Sequence, residues 1–155
     1  MCAYKSDKSL EVRQGLVFAL GGLDNDLAID TLITLTNDKN TWVRNWATFG
    51  IGSQSDKDNP IIRQALWYKM NDKDVNVRHE AIFGLAKRKD IRVKEFLKKE
   101  LDIIDHHCSL ILEAIELYQD KEFILIMEQI LASENIGNRV NPDWIRASIS
   151  KLNAN

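Results

Sequence analysis

The sequence predicts an all-α protein of stacked helix pairs, and three observations carry that prediction. The first is a repeat. Asp7 to Gly21 reads DKSLEVRQGLVFALG, Asp38 to Gly52 reads DKNTWVRNWATFGIG and Asp72 to Ala86 reads DKDVNVRHEAIFGLA, in register without a gap. The Val-Arg pairs at 12/13, 43/44 and 77/78 step by 31 and 34 residues, and a further Asp closes each unit at Asp24, Asp56 and Asp90. The second is periodicity: apolar residues ahead of each leading Asp recur at helical spacing. The third is composition. Only 7 Gly and 2 Pro in 155 residues, with 45% apolar and 28% charged residues, suit a helical globular chain better than a loop-rich β protein.

The elements follow in order. First helices are expected over Ala28, Leu32, Ile33 and Leu35, over Ile62, Leu66, Trp67 and Met70, and over Val93, Phe96, Leu97 and Leu101. Asn59-Pro60 supplies an N-cap followed by a proline at the first helical position, where the missing N–H costs nothing. After each leading Asp a tight polar turn gives way to a second helix. In the second repeat its core face is Val43, Ala47, Gly50 and Ile51, and the small residues let neighbouring helices approach closely. A worn fourth copy runs from Asp102 to Asp120, with His107 and Cys108 where Val-Arg should stand. Asn141-Pro142-Asp143 opens a last helix, about 142–153, that carries Trp144, Ile145, Ile149 and Leu152 and reads as a cap. Each pair is too small to bury its own face and depends on its neighbours. A single domain over 1–155 is expected, with repeat signatures near 7–24, 38–56, 72–90 and 102–120.

The signature D-x-x-x-x-V-R-x-x-A-x-x-x-L-[GA], preceded by an apolar helix and repeated every 30-odd residues, resembles the short HEAT-like repeats of the phycobilin-lyase type. The resemblance covers roughly Asp7 to Asp120. It implies an α-α superhelix, a solenoid of about four HEAT-like helix pairs, with a concave surface lined by the second helices. Chromophore lyases, adaptors, assembly scaffolds and alkylpurine DNA glycosylases carry such or related helical repeats, so the motif points to a fold more than to a function.

Residues shared by every repeat serve the repeat. Arg13, Arg44 and Arg78 recur beside Asp7, Asp38 and Asp72, and the family pattern implies a structural ladder of ion pairs and turn hydrogen bonds between adjacent units. Phe18, Phe49 and Phe83 recur likewise and are read as packing between repeats. Two tryptophans are private to the second repeat: Trp42 stands where the other copies have Glu11 and Asn76, and Trp46 where they have Gly15 and Glu80. Spaced i and i+4, their rings share one side of a helix, with Trp67 a candidate third member. Such a cluster suits a binding anchor, because aromatics dominate interface hot spots; the alternative is that the rings fill space beside Gly50 and Gly52. The helix wheel assigns Gln14, Val17 and Gly21, Asn45, Thr48 and Gly52, and His79, Ile82 and Ala86 to the concave row. Asn45, Thr48, His79 and Ile82 join the tryptophans as candidate binding residues. The row holds no paired carboxylates and no nucleophile with a base, so catalytic residues are not assigned.

Charge and cysteine content narrow the classes further. A formal net charge of -2 gives no overall reason to expect nucleic acid or anionic membrane. Basic residues dominate from Lys87 to Lys99 and acidic ones from Glu100 to Asn138; the basic segment is read as a solvated helix end and face. In DHHCS, Asp105 to Ser109, consecutive helical residues diverge by about 100° and do not easily converge on one ion, and a site would need help from Asp102 or another element, so no metal is expected. No cofactor is expected either. Cys2 and Cys108 stand far apart, without a C-x-x-C, which fits a reduced, cytoplasmic chain. The opening MCAYKSDKSLEV lacks the apolar run of a signal peptide, and no apolar run reaches membrane-spanning length. Ahead of Asp7, Cys2 to Lys5 leaves no room for a first helix, so Leu16, Leu20 and Leu23 are expected to need cover. The sequence therefore leads to a non-catalytic protein-interaction scaffold, binding a protein partner or itself through the concave face or the N-terminal edge. A phycobilin-lyase-like enzyme and a nucleic-acid-binding protein related to the helical-repeat glycosylases are the alternatives.

Overall fold

The computed structural model describes residues 3–106, 108–134 and 136–154. Among them there is no strand, and nine α-helices are joined by short turns: α1 (Leu10–Leu20), α2 (Asp26–Leu35), α3 (Thr41–Phe49), α4 (Pro60–Lys69), α5 (Val75–Lys87), α6 (Lys94–Asp102), α7 (Ser109–Tyr118), α8 (Glu122–Leu131) and α9 (Pro142–Ala154). None is long and apolar enough to cross a membrane. Local chemistry sets the starts. Ser9 Oγ accepts from Val12 N, Asn25 Oδ1 from Ala28 N, Asn40 Oδ1 from Val43 N and Asn59 Oδ1 from Ile62 N, so each cap satisfies a backbone donor that the first turn leaves unpaired.

The chain groups into two compact units, Met1–Leu85 and Ala86–Asn155. In the first, α1 packs on both α2 and α3, and α3 on α2, so successive second helices touch each other as well as the first helix between them. The core there is Leu32, Val43, Ala47, Ile51, Ile62 and Leu66, all with essentially no exposure. After Phe49 the helix α3 widens into a π turn, Gly50–Gln54, closed by Ser55 N donating to Gly50 O at 3.1 Å. This turn brings Gly52 against α5: a Cβ on Gly84 would lie 2.6 Å from Gly52 Cα, so only two glycines permit backbone to meet backbone there.

A 3-10 turn, Ala3–Ser6, lies against α1 and α2; Leu16 and Leu20 are half-buried, while Leu23 is exposed. In the second unit α6 packs on α7 and α8, and α9 on α7 and α8, around Leu97, Leu101, Ile111, Ile115, Phe123 and Ile145. The helix α8 was not assigned from the sequence, since no repeat signature reaches it.

Candidate functional site

The recurring Arg and Asp residues build a ladder that steps one repeat forward. Arg13 Nε donates to Asp38 Oδ2 at 2.6 Å and its Nη2 to Asp38 Oδ1 at 3.2 Å, while Nη1 donates to Asp7 O at 2.8 Å. One repeat on, Arg44 Nε and Nη2 each donate to the Asp72 carboxylate at 2.9 Å, and Nη1 donates to Asp38 O at 3.1 Å. Arg78 Nη1 donates to Asp72 O at 3.0 Å. Each of the three guanidiniums thus fastens its own turn, and those of Arg13 and Arg44 also grip the next leading Asp in a bidentate fork. Burial alone would push the Asp38 and Asp72 carboxyls up. The hydrogen bonds from Arg13 and Asn40 N, and from Arg44 and Asp74 N, outweigh it and hold both below the ordinary carboxylate value.

The aromatic residues of α1 and α3 come together on one side of the first unit. Phe18 lies 5.1 Å from Trp42 and 5.0 Å from Trp46, ring centroid to centroid; Trp42 and Trp46 are 5.6 Å apart, and Trp46 meets Phe49 edge-on at 5.5 Å. Phe18 is 58% exposed, and both tryptophans and Phe49 are half-buried, so the cluster forms an open aromatic face rather than a core. Asn45, one turn from Trp42 and Phe49, borders it, and its Oδ1 is buried with no hydrogen-bond partner. A Cβ on Gly15, opposite in register to Trp46, would meet nothing within 4 Å.

Two sequence expectations are corrected by this geometry. Thr48 and Ile82 do not line an open row: both are fully buried, and Thr48 Oγ1 donates back to Arg44 O at 2.8 Å. So are their neighbours in the assigned row, Val17, Gly52 and Ala86. The reason is that α3 is covered by α2 and also by α1, so its buried arc runs from Val43 through Arg44 and Thr48 to Gly52. The side left open is the one that carries positions 42, 45, 46 and 49. Nor do the rings fill space beside the π-turn glycines. The atoms nearest a Cβ placed on Gly50 belong to Leu32, at 3.0 Å and beyond, and those nearest one on Gly52 are Glu80 O at 2.9 Å, Gly84 Cα at 3.5 Å and Leu66 Cδ2 at 3.5 Å. Trp67 on α4 and His79 on α5 are half-buried. Phe18 and Phe49, read from the sequence as packing alone, belong to the open cluster. The signal lay in their spacing, since Phe49 is two helical turns from Trp42 and Phe18 is the equivalent residue one repeat earlier.

In the second unit two lysines of the basic segment pair with the acidic one, while Lys89, Arg92 and Lys99 are exposed. Lys94 Nζ pairs with Asp120 and with Glu122, and Lys98 Nζ with Glu122 at 2.7 Å. The hydrogen bonds to Asp120 and Glu122 raise the Lys94 pKa above its ordinary range. Lys89 Nζ donates to Leu117 O, Tyr118 O and Gln119 Oε1, capping the C-terminal end of α7 where the chain turns through a left-handed Gln119. Of the DHHCS stretch, Asp105 and His106 are exposed, Cys108 is buried and its thiol is pushed up to about 11 by burial; His107 lies outside the described residues, as does Cys2. No group of metal-ligating side chains occurs among the described residues.

No family model matches the sequence. The chain is similar to Protein YibA of Escherichia coli, in strains K12 and O157:H7, with 38% identity over 125 residues, which is 81% of this chain and 44% of YibA. An X-ray structure of YibA superimposes with a TM-score of 0.79 at 33% identity, over 99% of this chain and 52% of that one. The chain therefore spans about half the length of the relative it matches, and the helical fold is common to both.

Proposed function

We propose that the chain is a HEAT-like repeat protein that acts as a non-catalytic protein-interaction scaffold, with the Phe18, Trp42, Trp46 and Phe49 face as its anchor. The HEAT-like reading draws on the Arg-Asp ladder, which links equivalent residues of successive units, and on the contact of α1 with α3. The observation that carries the function is the aromatic cluster itself. Three large rings and a fourth at the edge, held at fixed distances by two helices, present rigid apolar area at little cost in side-chain entropy.

The test is affinity capture from the native cells with the intact chain and with a Trp42→Ala/Trp46→Ala variant whose helical content and melting are checked first. Partners retained by the intact chain and lost by the folded double variant are the expected result. An unchanged set, or no retained protein with either bait, contradicts the assignment.

A further inference from the structure

A second surface of the first unit has the makings of a site of its own. The helices α2 and α4 run side by side, tied at their starts by Lys57 Nζ donating to Asp26 Oδ1 at 2.6 Å and at their ends by Lys69 Nζ donating to Asn37 Oδ1 at 2.7 Å. Between them lies a groove of about 570 Å³. Ile33, Pro60, Ile61 and Ala65 give it apolar walls, and Ile61 and Tyr68, 64% and 68% exposed, leave it open to solvent along its length. Ten helical residues make it about 15 Å long, the span of about five residues of extended chain.

Its polar end is unusual. Lys69 is only 9% exposed, and its one hydrogen bond among the described residues goes to a neutral amide. The carboxylate that attracts it, Asp72, is already engaged: Asp72 Oδ2 accepts from Arg44 Nε, and Asp72 Oδ1 from Arg44 Nη2 and Asp74 N. No carboxylate lines this groove. A desolvated ammonium with donors left over, at the end of an apolar channel whose lining includes no carboxylate, is electrostatically incomplete. Burial accordingly lowers the Lys69 pKa, against the pull of Asp72 and together with the push of Arg44.

We infer that the α2/α4 groove binds a short segment of a partner protein that places an Asp or Glu carboxylate on Lys69 and adjacent aliphatic or aromatic side chains between Ile33, Ile61 and Ala65. The carboxylate supplies the charge that the groove lacks, and the open walls suit a chain passing through rather than an enclosed small molecule. This surface is separate from the aromatic face and stands or falls independently of it.

A displayed library of short random peptides, panned on the folded chain, tests the assignment. Enriched sequences are expected to carry Asp or Glu next to large apolar residues. Their affinity should fall about tenfold or more with Lys69→Met, which keeps the stem and removes the charge. It should fall likewise with Ile61→Asp, an exposed substitution that puts a like charge in the groove and keeps the test valid should Lys69→Met not fold. Trp42→Ala/Trp46→Ala should leave it unchanged. Enriched peptides without an acidic residue, binding that survives both groove variants or follows the tryptophans instead, or no enrichment at all would overturn the inference. So would a concentration-dependent dimer abolished by Lys69→Met, since the occupant would then be a second copy of the chain. Saturable binding of 4-phenylbutanoate with no peptide enriched would make it a small carboxylate site and equally overturn the peptide assignment.

Discussion

At Arg44 the donors of one guanidinium are divided between two repeats: Nη1 holds the backbone of its own turn at Asp38 O, and Nε with Nη2 holds Asp72 of the next. Removing one partner of such a buried pair leaves a charge without compensation. Asp72→Ala is accordingly expected to cost about 3 kcal/mol in chemical denaturation, and Arg44→Lys to lose much of the fork, because an ammonium cannot span both oxygens. The folded carboxyls of Asp38 and Asp72 lie below their unfolded value of about 3.9. Their stabilisation is thus fully present above that pH and lost as the pH falls through the lower folded values. Melting temperatures of the intact chain and of Asp38→Asn/Asp72→Asn should differ at pH 6 and converge on acidification towards pH 2; a constant difference would contradict the pairing. Cys108 behaves oppositely. Burial raises its thiol to about 11, so its peptide should stay unmodified by iodoacetamide at pH 7.5 in the folded chain and react after denaturation.

Among the elements, α3 and its π turn decide how closely the repeats stack. Gly84→Ala would drive a Cβ to within 2.6 Å of Gly52 Cα, backbone that cannot move aside, and should lower the melting temperature markedly. Gly15→Ala is the contrasting case. Open space surrounds that Cβ and the residue lies within α1, so the variant should gain about 0.5–1 kcal/mol from helix propensity alone. Most helices, the Asn59 cap and the core positions Val43, Ala47 and Ile51 were legible because each depends on local chemistry and on one period. The rotation of α3 was not. A helix wheel knows only its own apolar stripe, and Thr48 is buried because α3 has two covering neighbours, a fact of the tertiary arrangement. The pairing of Lys94 with Asp120 was hidden for the same reason, since a run of like charge in sequence reveals nothing of the opposite charge folded against it.

For the whole molecule, the ladder is what the first repeats share, and the aromatic face is what the two tryptophans of the second repeat add. The private tryptophans were visible as departures from the repeat. Phe18 joined them only when α1 and α3 met, because a recurring residue carries no mark of the neighbour it will acquire. The groove of Lys69 was not legible at all, since its burial depends on α2 lying alongside α4. Likeness to YibA over about half that protein's length supports the helical fold and leaves the binding surface to be identified by experiment. The most direct measurement is hydrogen exchange on the intact chain, alone and bound to the partner that it captures, read peptide by peptide. Slowed exchange over residues 10–20 of α1 and 41–49 of α3 is the predicted result. Protection confined to other helices, with these two unchanged, would contradict the aromatic face as the anchor.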